Sequence, residues 1–189
     1  AIAAGRKVGL LYLDSDGFKA VNDNHGHAGG DALLIALAQR LNASVRDTDL
    51  VARLGGDEFA VILHPLAGAD EAERIARDIL ANVIKPVVLP SGESVTPGMS
   101  IGIAVFPDHG YAAEDLVRAA DHAMYVAKSA GKGVFRVFDP AGVPTRSDLR
   151  TRATDHGRVT LTRRATDARA ETVDAGAPLN DRDTLENSQ

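Results

Sequence analysis

The 189-residue sequence contains no cysteine and no tryptophan, and its aromatic residues are three tyrosines and five phenylalanines. The absence of cysteine excludes disulfide bonds, thiolate metal sites and cysteine nucleophiles. No apolar run approaches the roughly 20 residues that a helix needs to cross a bilayer, so we expect no membrane contact from this segment. The net charge of −5 argues against binding nucleic acid through bulk charge.

Aromatic residues and net charge both locate the domain in the first part of the chain. All eight aromatics lie between Tyr12 and Phe138, and from residue 140 onward eight arginines balance eight acidic residues, so the net negative charge belongs to residues 1–139. The apolar residues of the tail are scattered without a period and bury too little surface to offset the entropy of ordering. We therefore predict one domain over 1–139 and a mostly disordered tail or linker over 140–189, with a helix around 148–169 as the alternative.

Within 1–139, strand and helix patterns alternate. Apolar runs predict strands over 7–13, 50–54, 58–63, 99–106 and 134–138, and apolar residues at helical spacing predict helices over 31–45, 70–83 and 114–130. Gly55-Gly56 separates two of the strands and can adopt the positive φ of a tight hairpin. The pattern predicts an α/β (α+β) fold, in which helices pack on a mixed sheet.

Acidic residues follow the first strand and the diglycine turn. Asp14 ends the first strand and Asp57 follows Gly56, so the two carboxylates converge at one sheet edge if the hairpin lies beside that strand. Paired carboxylates with a backbone carbonyl suit Mg²⁺, which keeps its other positions for water and phosphate oxygens. The alternative is a pair of solvated turn residues that only terminate strands.

Residues 53–59 read Arg-Leu-Gly-Gly-Asp-Glu-Phe and resemble the hallmark of the GGDEF family, the diguanylate cyclases. Further motifs of that family follow at matching spacing over about residues 7–138. They are Asp14-Ser15-Asp16-Gly17-Phe18-Lys19, Asn22-Asp23, Gly26-His27, Gly30-Asp31, Ser100-Ile101-Gly102-Ile103-Ala104, Ala120-Asp121-His122-Ala123-Met124-Tyr125 and Ala127-Lys128.

The resemblance implies a palm-like nucleotide-cyclase fold, with a central, mostly antiparallel mixed sheet flanked by helices and the hallmark motif on a β-hairpin. It also implies condensation of two GTP into cyclic di-GMP with release of pyrophosphate. Because each 3′-hydroxyl must attack the α-phosphate of the other nucleotide, two subunits have to face one another in a homodimer. The implied location is the bacterial cytosol, with any membrane attachment carried by flanking domains.

By the same resemblance, Mg²⁺, or Mn²⁺ as the alternative ion, would be held by the side chains of Asp14 and Asp57 and the backbone carbonyl of Ser15. Glu58 would orient the metal or assist deprotonation of the attacking hydroxyl, and the motif does not decide between these roles. Backbone N–H groups of Gly17 and Phe18 would face the phosphates, although Phe18 can equally be a core residue.

The remaining substrate contacts implied by the resemblance concern guanine, the terminal phosphates and the hairpin. Asn22 and Asp31 would bind the guanine edge; the alternative for Asp31 is an N-cap of the following helix. The terminal phosphates would be held by Lys128 and Lys132. Gly55 and Gly56 would let the substrate approach the hairpin closely.

Arg46-Asp47-Thr48-Asp49 is separated from Gly55 by five residues and fits the RxxD inhibitory site of the family. There Arg46 would bind guanine edges and phosphates of the product, Asp49 would accept from a guanine N–H, and Arg77 would supply a further arginine. The alternative is an ordinary ion pair between Arg46 and Asp49 at a helix end.

The sequence departs from the family pattern at both ends of the domain. The segment Asp-x-Leu-Thr-x-Leu-x-Asn-Arg that normally opens the domain is absent before the first strand, so we expect a truncated domain. Gly131-Lys132-Gly133 stands in place of the usual Gly-Arg-Asn, which retains a charge but loses the guanidinium fork. Two other functions remain open: a catalytically silent module that binds GTP or cyclic di-GMP, and an adenylyl-type cyclase, which Asn22 and Asp31 disfavour.

Overall fold

The computed structural model describes residues 7–142, 159–162 and 171–173. The strands and helices in chain order are β1 (Lys7–Asp16), α1 (Phe18–Ser44), β2 (Leu50–Gly55), β3 (Glu58–Leu66), α2 (Ala69–Val83), β4 (Val87–Val88), β5 (Ser94–Val95), β6 (Gly98–Phe106), α3 (Ala113–Ser129), β7 (Phe135–Val137), β8 (Val159–Thr162) and β9 (Glu171–Val173), with a 3₁₀ turn at Pro140–Gly142.

Seven strands form one sheet in the order β7-β6-β1-β3-β2-β8-β9, and β4 and β5 form a separate antiparallel pair. Within the main sheet, only β6 and β7 run parallel. The expected central sheet, mostly antiparallel and flanked by helices, is confirmed. The central strands β1 and β6 are almost wholly buried, as expected for strands covered on both faces.

Side chains of β1 alternate between two apolar cores, one on each face of the sheet. Leu11 and Leu13 lie in the larger core, which includes apolar residues of α1 and α2. Leu10 and Tyr12 face the opposite way and pack with Ala120 and other residues of α3. This period of two assigns Asp14 to the α3 face and Ser15 to the α1 and α2 face.

Helix α3 lies directly on β6 because Gly102 has no side chain. A Cβ built at Gly102 would lie 1.9 Å from the carbonyl oxygen of Ala120 and 2.3 Å from the backbone nitrogen of Met124. Any larger residue at 102 would force the helix off the sheet. The close approach fixes where the C-terminal turn of α3 ends, beside the end of β1.

The long helix α1 begins much earlier than the predicted 31–45. It starts at Phe18, after Gly17 in the left-handed conformation (φ 81°), and is interrupted at Gly26 (φ 70°). Residues 18–30 contain six polar residues, three glycines and only four apolar residues, so this half carries little helical periodicity. Asp31 lies inside α1, and the alternative that it caps a helix is wrong.

Three smaller expectations also need correction. The hairpin turn is Gly56-Asp57, since Gly55 still belongs to β2 and only Gly56 has a positive φ (49°). Val117 belongs to the apolar residues whose helical spacing predicts the inward face of α3, but it is 42% exposed. The β4–β5 pair was not predicted, because strands of two residues leave no periodicity.

Few residues of the predicted tail are among those that the structure describes. Residues 159–162 form a strand beside β2, so the alternative helix around 148–169 is wrong at those positions. The rest of the predicted disordered tail lies outside the described residues, apart from β9 and the 3₁₀ turn. In the part of the chain that the structure describes, none of the helices combines the length and the apolar character needed to cross a bilayer.

Candidate functional site

The hairpin turn between β2 and β3 lies against the end of β1. Asp14 is opposite Glu58 in the antiparallel register, and the backbone N–H of Ser15 donates to the carbonyl oxygen of Asp57 at 3.2 Å. Burial raises the pKa of the Asp57 carboxyl above its usual value, and the nearby charge of Asp14 adds to this effect. The predicted convergence of the two carboxylates is therefore observed.

Lys128 on α3 completes this cluster of charges. Its ammonium Nζ lies 2.6 Å from Oδ2 of Asp14, and the two side chains are only 21% and 12% exposed. The contact depends on the close packing of α3 at Gly102, because Lys128 is one helical turn after Met124. A cation expected to hold phosphates is thus also the partner of an expected metal ligand.

Backbone geometry at Ser15 supports its expected role. In an extended strand the N–H and the C=O of one residue point to the same side. The Ser15 N–H is directed at Asp57, so its carbonyl faces the hairpin as well. The Ser15 side chain points away, into the opposite face of the sheet.

These oxygen donors fit a hard divalent cation. Two carboxylates and a backbone carbonyl on neighbouring segments are the donor set that Mg²⁺ accepts. Among the described residues, no group of three or more histidine or acidic side chains has the arrangement of a metal site.

Glu58 is oriented by a tyrosine that the sequence did not point out. The hydroxyl of Tyr12 donates to Oε2 of Glu58 at 3.3 Å, and both residues lie on the α3 face. Burial, followed by the charge of Glu58, raises the pKa of Tyr12, which keeps its hydroxyl protonated as a donor. Because side chains alternate along β1, Tyr12 lies on the same face as Asp14, and this alternation is the sequence signal that identifies it.

Asn22 and Asp31 are brought together by the interruption of α1. A Cβ built at Gly30 would lie 1.9 Å from Oδ1 of Asn22 and 3.2 Å from Cζ of Phe18. The Asn22 amide therefore rests against the backbone immediately before Asp31, which is exposed. Phe18 packs against the larger core, as its alternative role predicted, and its backbone begins the helix.

The turn itself leaves open space above its glycines. A Cβ built at Gly55 or Gly56 meets no atom within 4 Å. Arg53, which sequence reasoning missed, holds this turn: its Nε and Nη2 donate to the carbonyl oxygen of Gly56 at 3.0 and 2.7 Å. Such a fork is a regular use of a guanidinium.

Lys132 lies in the loop between α3 and β7 and is exposed. Its φ is +65°, between Gly131 at 113° and Gly133 at 62°, and among the described residues it is the one non-glycine with positive φ. Asp16 reaches this loop, accepting from the N–H of Gly133 at 2.9 Å and from the hydroxyl of Ser100 at 2.8 Å. Sequence reasoning missed Asp16, although it shares a strand face with Asp14.

Arg46 and Asp49 do not form the ion pair that was the alternative to an inhibitory site. Asp49 accepts through Oδ2 from the Arg46 N–H at 3.0 Å and through Oδ1 from the His64 N–H at 3.1 Å. The exposed guanidinium of Arg46 pairs instead with Glu71 of α2. Both residues remain near the surface, with Arg46 outermost.

Arg77 has different neighbours. It pairs with Glu73 at 3.2 Å, and its guanidinium carbon lies 5.7 Å from the ring centre of Phe135 in β7. The structure therefore places Arg77 on α2 toward β7, and its expected participation with Arg46 stays a prediction.

Comparison with known sequences supports the motifs. The family model for the GGDEF domain of diguanylate cyclases matches residues 1–133. Diguanylate cyclase TpbB of Pseudomonas aeruginosa is 46% identical over 133 residues, which are 70% of this chain and 31% of TpbB. Cyclic di-GMP phosphodiesterase PdeR of Escherichia coli is 40% identical over 138 residues, 73% of this chain and 21% of PdeR. The chain thus spans about a third of TpbB, the first of these relatives, and less of PdeR.

Solved structures with a similar fold are also GGDEF domains. The isolated GGDEF domain of TpbB from P. aeruginosa superposes with a TM-score of 0.72 at 44% identity, covering 74% of this chain and 81% of that one. The GGDEF domain of DgcB from Caulobacter crescentus, in complex with cyclic di-GMP, has a TM-score of 0.67 at 28% identity, covering 71% and 80%.

Proposed function

The chain belongs to the GGDEF domain family of diguanylate cyclases, and from this membership we propose that it condenses two GTP into cyclic di-GMP with release of pyrophosphate. The observation that carries the proposal is the meeting of Asp14, Asp57 and Lys128 at the end of β1. Two carboxylates and a cation around one point suit a metal-bound triphosphate.

Asp14, Asp57 and the Ser15 carbonyl would hold Mg²⁺, with Mn²⁺ as the alternative ion. Bound there, the ion would neutralise charge on the phosphate oxygens during phosphoryl transfer. Lys128 is within reach of the same position, so its ammonium can neutralise Asp14 in the free protein and a phosphate oxygen in the complex.

The rest of the nucleotide would extend from this point along α1 and the hairpin. The backbone N–H groups of Gly17 and Phe18, at the start of α1, favour phosphate by their partial positive charge. Asn22 and Asp31 would bind guanine, since their amide and carboxylate complement its edge. Gly55 and Gly56 leave space for the nucleotide above the turn, and Lys132 would hold the terminal phosphates.

Bond formation requires a second copy of the chain. A 3′-hydroxyl attacks the α-phosphate of the facing nucleotide, and pyrophosphate leaves; the same step repeated in the other direction closes the ring. Glu58, oriented by Tyr12, would help to remove the hydroxyl proton or orient the metal. We therefore propose a homodimer in which each subunit contributes one GTP.

Substituting Asp57 tests the metal site. Asp57→Asn removes a metal ligand, and we expect turnover to fall by at least about 100-fold. Because the pKa of Asp57 is raised in the folded chain, ionised Asp57 opposes folding at neutral pH, so Asn should not lower the Tm measured in EDTA. Asp78→Asn on the exposed face of α2 is the control and should retain turnover. Full activity of Asp57→Asn would refute the metal assignment.

Product inhibition is proposed for the surface around Arg46 and Asp49, with Arg77 as a further contact. The exposed guanidinium of Arg46 has a carboxylate partner, Glu71, that a phosphate can replace. Titration with cyclic di-GMP should give an affinity about tenfold or more weaker for Arg46→Ala than for the native chain. Arg74 is an exposed arginine of α2 that also has an acidic partner, Asp78. As the control, the Arg74→Ala variant should bind cyclic di-GMP as tightly as the native chain does. Undiminished affinity in Arg46→Ala would reject this site.

The rival proposal is a module that binds GTP or cyclic di-GMP without turnover. The similarity to PdeR, a protein named as a cyclic di-GMP phosphodiesterase, favours this rival proposal. The intact Gly55-Gly56-Asp57-Glu58-Phe59 sequence favours catalysis. The two proposals differ in one outcome, the formation of product from bound GTP.

A further inference from the structure

We propose that Asp16 is a positioning residue that holds the loop Gly131-Lys132-Gly133 in the conformation that presents Lys132 to the triphosphate. The inference rests on the proposed function, since it concerns how that site grips GTP. Asp16 is two residues after Asp14, so it lies on the same face of β1. Its carboxylate is directed at the loop and is not among the expected metal ligands.

The contacts of Asp16 join three separate segments. One carboxylate oxygen accepts from the buried hydroxyl of Ser100 in β6 at 2.8 Å, and the other accepts from the backbone N–H of Gly133 at 2.9 Å. Gly133 is 117 residues away in sequence, so the bond connects the end of β1 to the loop after α3. Each oxygen therefore has a donor of its own, and the carboxylate has a fixed orientation.

The strand beside Asp16 is shaped to receive its side chain. Gly98 of β6 is opposite Asp16 in the register, and a Cβ built there would lie 3.2 Å from Cβ and 3.3 Å from Oδ2 of Asp16. A side chain at 98 would press on the carboxylate that accepts from Gly133. Gly98 thus leaves room for this one orientation.

The loop that Asp16 holds has a backbone that does not form by itself. All three of its residues have positive φ, and Lys132 at +65° has a Cβ, which makes this conformation unfavourable. Such a conformation persists where surrounding contacts determine it. The N–H of Lys132 donates to the carbonyl oxygen of Ala127 at 3.3 Å on one side, and Asp16 holds Gly133 on the other.

The consequence concerns the terminal phosphates. Lys132 is exposed, and its direction is set by the φ values of the loop and not by packing. Releasing Gly133 would let Lys132 return to ordinary backbone angles and point elsewhere. Asp16 would therefore contribute to triphosphate affinity without touching the nucleotide.

A double-mutant cycle on nucleotide affinity tests the inference. The ligand is a GTP analogue with a methylene group between the α- and β-phosphates, which cannot release pyrophosphate, and GMP serves as the reference; both are titrated with Mg²⁺ present. We expect Asp16→Ala and Lys132→Ala each to weaken analogue binding by about tenfold and GMP binding by less than about twofold. The double variant should be no weaker than Lys132→Ala alone.

Conservative variants separate positioning from general stability. Asp16→Asn can accept from Gly133 through its oxygen and donate to Ser100 through its amide, so it should restore analogue affinity. If Asp16→Ala does not fold, Asp16→Ser, too short to reach Gly133, takes its place in the cycle. Additive losses of analogue affinity in the double variant, or equal losses of affinity for the analogue and for GMP, would overturn the inference about Asp16 but not the proposed function. A native chain with no preference for the analogue over GMP would overturn the phosphate assignment and the inference with it.

Discussion

The hydroxyl of Ser15 is a buried polar group beside the proposed metal site that the chemistry does not use. In the described part of the chain, Ser15 is 2% exposed and its Oγ has no hydrogen-bond partner. A buried hydroxyl without a partner costs about 1–3 kcal/mol. The proposed contribution of Ser15 is its backbone carbonyl, which any residue supplies.

We predict that Ser15→Ala leaves turnover within about twofold of native and leaves the free energy of unfolding unchanged or raises it by about 1 kcal/mol. Ser100→Ala is a matched control, because Ser100 is equally buried but donates to Asp16. The free energy of unfolding of Ser100→Ala should fall by about 1 kcal/mol. Urea denaturation and a turnover assay measure both. A large loss of activity in Ser15→Ala would contradict a role limited to the backbone.

Single residues differ in how far the sequence could predict them. The convergence of Asp14 and Asp57 followed from a strand exit and a hairpin, because the register that places Asp14 opposite Glu58 brings the adjacent turn residue Asp57 close to it. The contact between Lys128 and Asp14 also needs Gly102, whose missing side chain matters only once α3 lies on β6. Asp16 and Arg53 act through backbone groups, and no side-chain pattern in the sequence marks a backbone donor or acceptor.

Among the elements, the long strands and α2 were predictable and α1 was only half so. Strong apolar periods fix β1, β3, β6 and α2 to within a few residues. The first half of α1 is rich in polar residues and glycine, and within it the side chains of Phe18 and Asn22 both lie against Gly30, a tertiary contact that no sequence period marks. This half carries Asn22, one of the two proposed guanine contacts, and the other, Asp31, directly follows it.

The turn after β6 depends on a neutral histidine. His109 donates its backbone N–H to the carbonyl oxygen of Val105 at 2.8 Å, and its Nδ1 accepts from the Val105 N–H at 2.9 Å. Its ring also meets Phe138 edge-on at 5.6 Å. Burial lowers the pKa of His109 below its ordinary value of 6.5. A protonated ring would turn the Nδ1 acceptor into a donor facing another donor.

A lowered pKa in the folded state means that the unfolded chain binds this proton more readily. The free energy of unfolding should therefore fall as the pH drops below about 6.5 and continue to fall down to the folded-state pKa. Asn at 109 keeps an acceptor near the Nδ1 position but does not titrate. We expect His109→Asn to cost about 1 kcal/mol at pH 7.5 through the lost ring contact, and to lose less stability than the native chain between pH 7 and pH 5. Parallel pH profiles in urea denaturation would contradict this account.

For the whole molecule, the central claim is that one subunit binds only one of the two GTP molecules that the reaction joins. The candidate site lies at one end of the sheet, where β1, the hairpin, α1 and α3 meet, and its proposed contacts account for one nucleotide. The acidic balance of the domain argued against binding bulk polyanions, and part of it comes from the carboxylates of the proposed metal site, through which one small polyanion, GTP, would bind. On the proposed mechanism, two such ends would have to face each other before a bond could form.

The most direct measurement is a dilution series of the chain with GTP and Mg²⁺, with the nucleotides separated by chromatography. The account predicts cyclic di-GMP with two pyrophosphates released for each, and a rate per chain that increases with protein concentration as dimers form. Bound GTP with no cyclic di-GMP at any concentration, or cyclic GMP as the product, would contradict it.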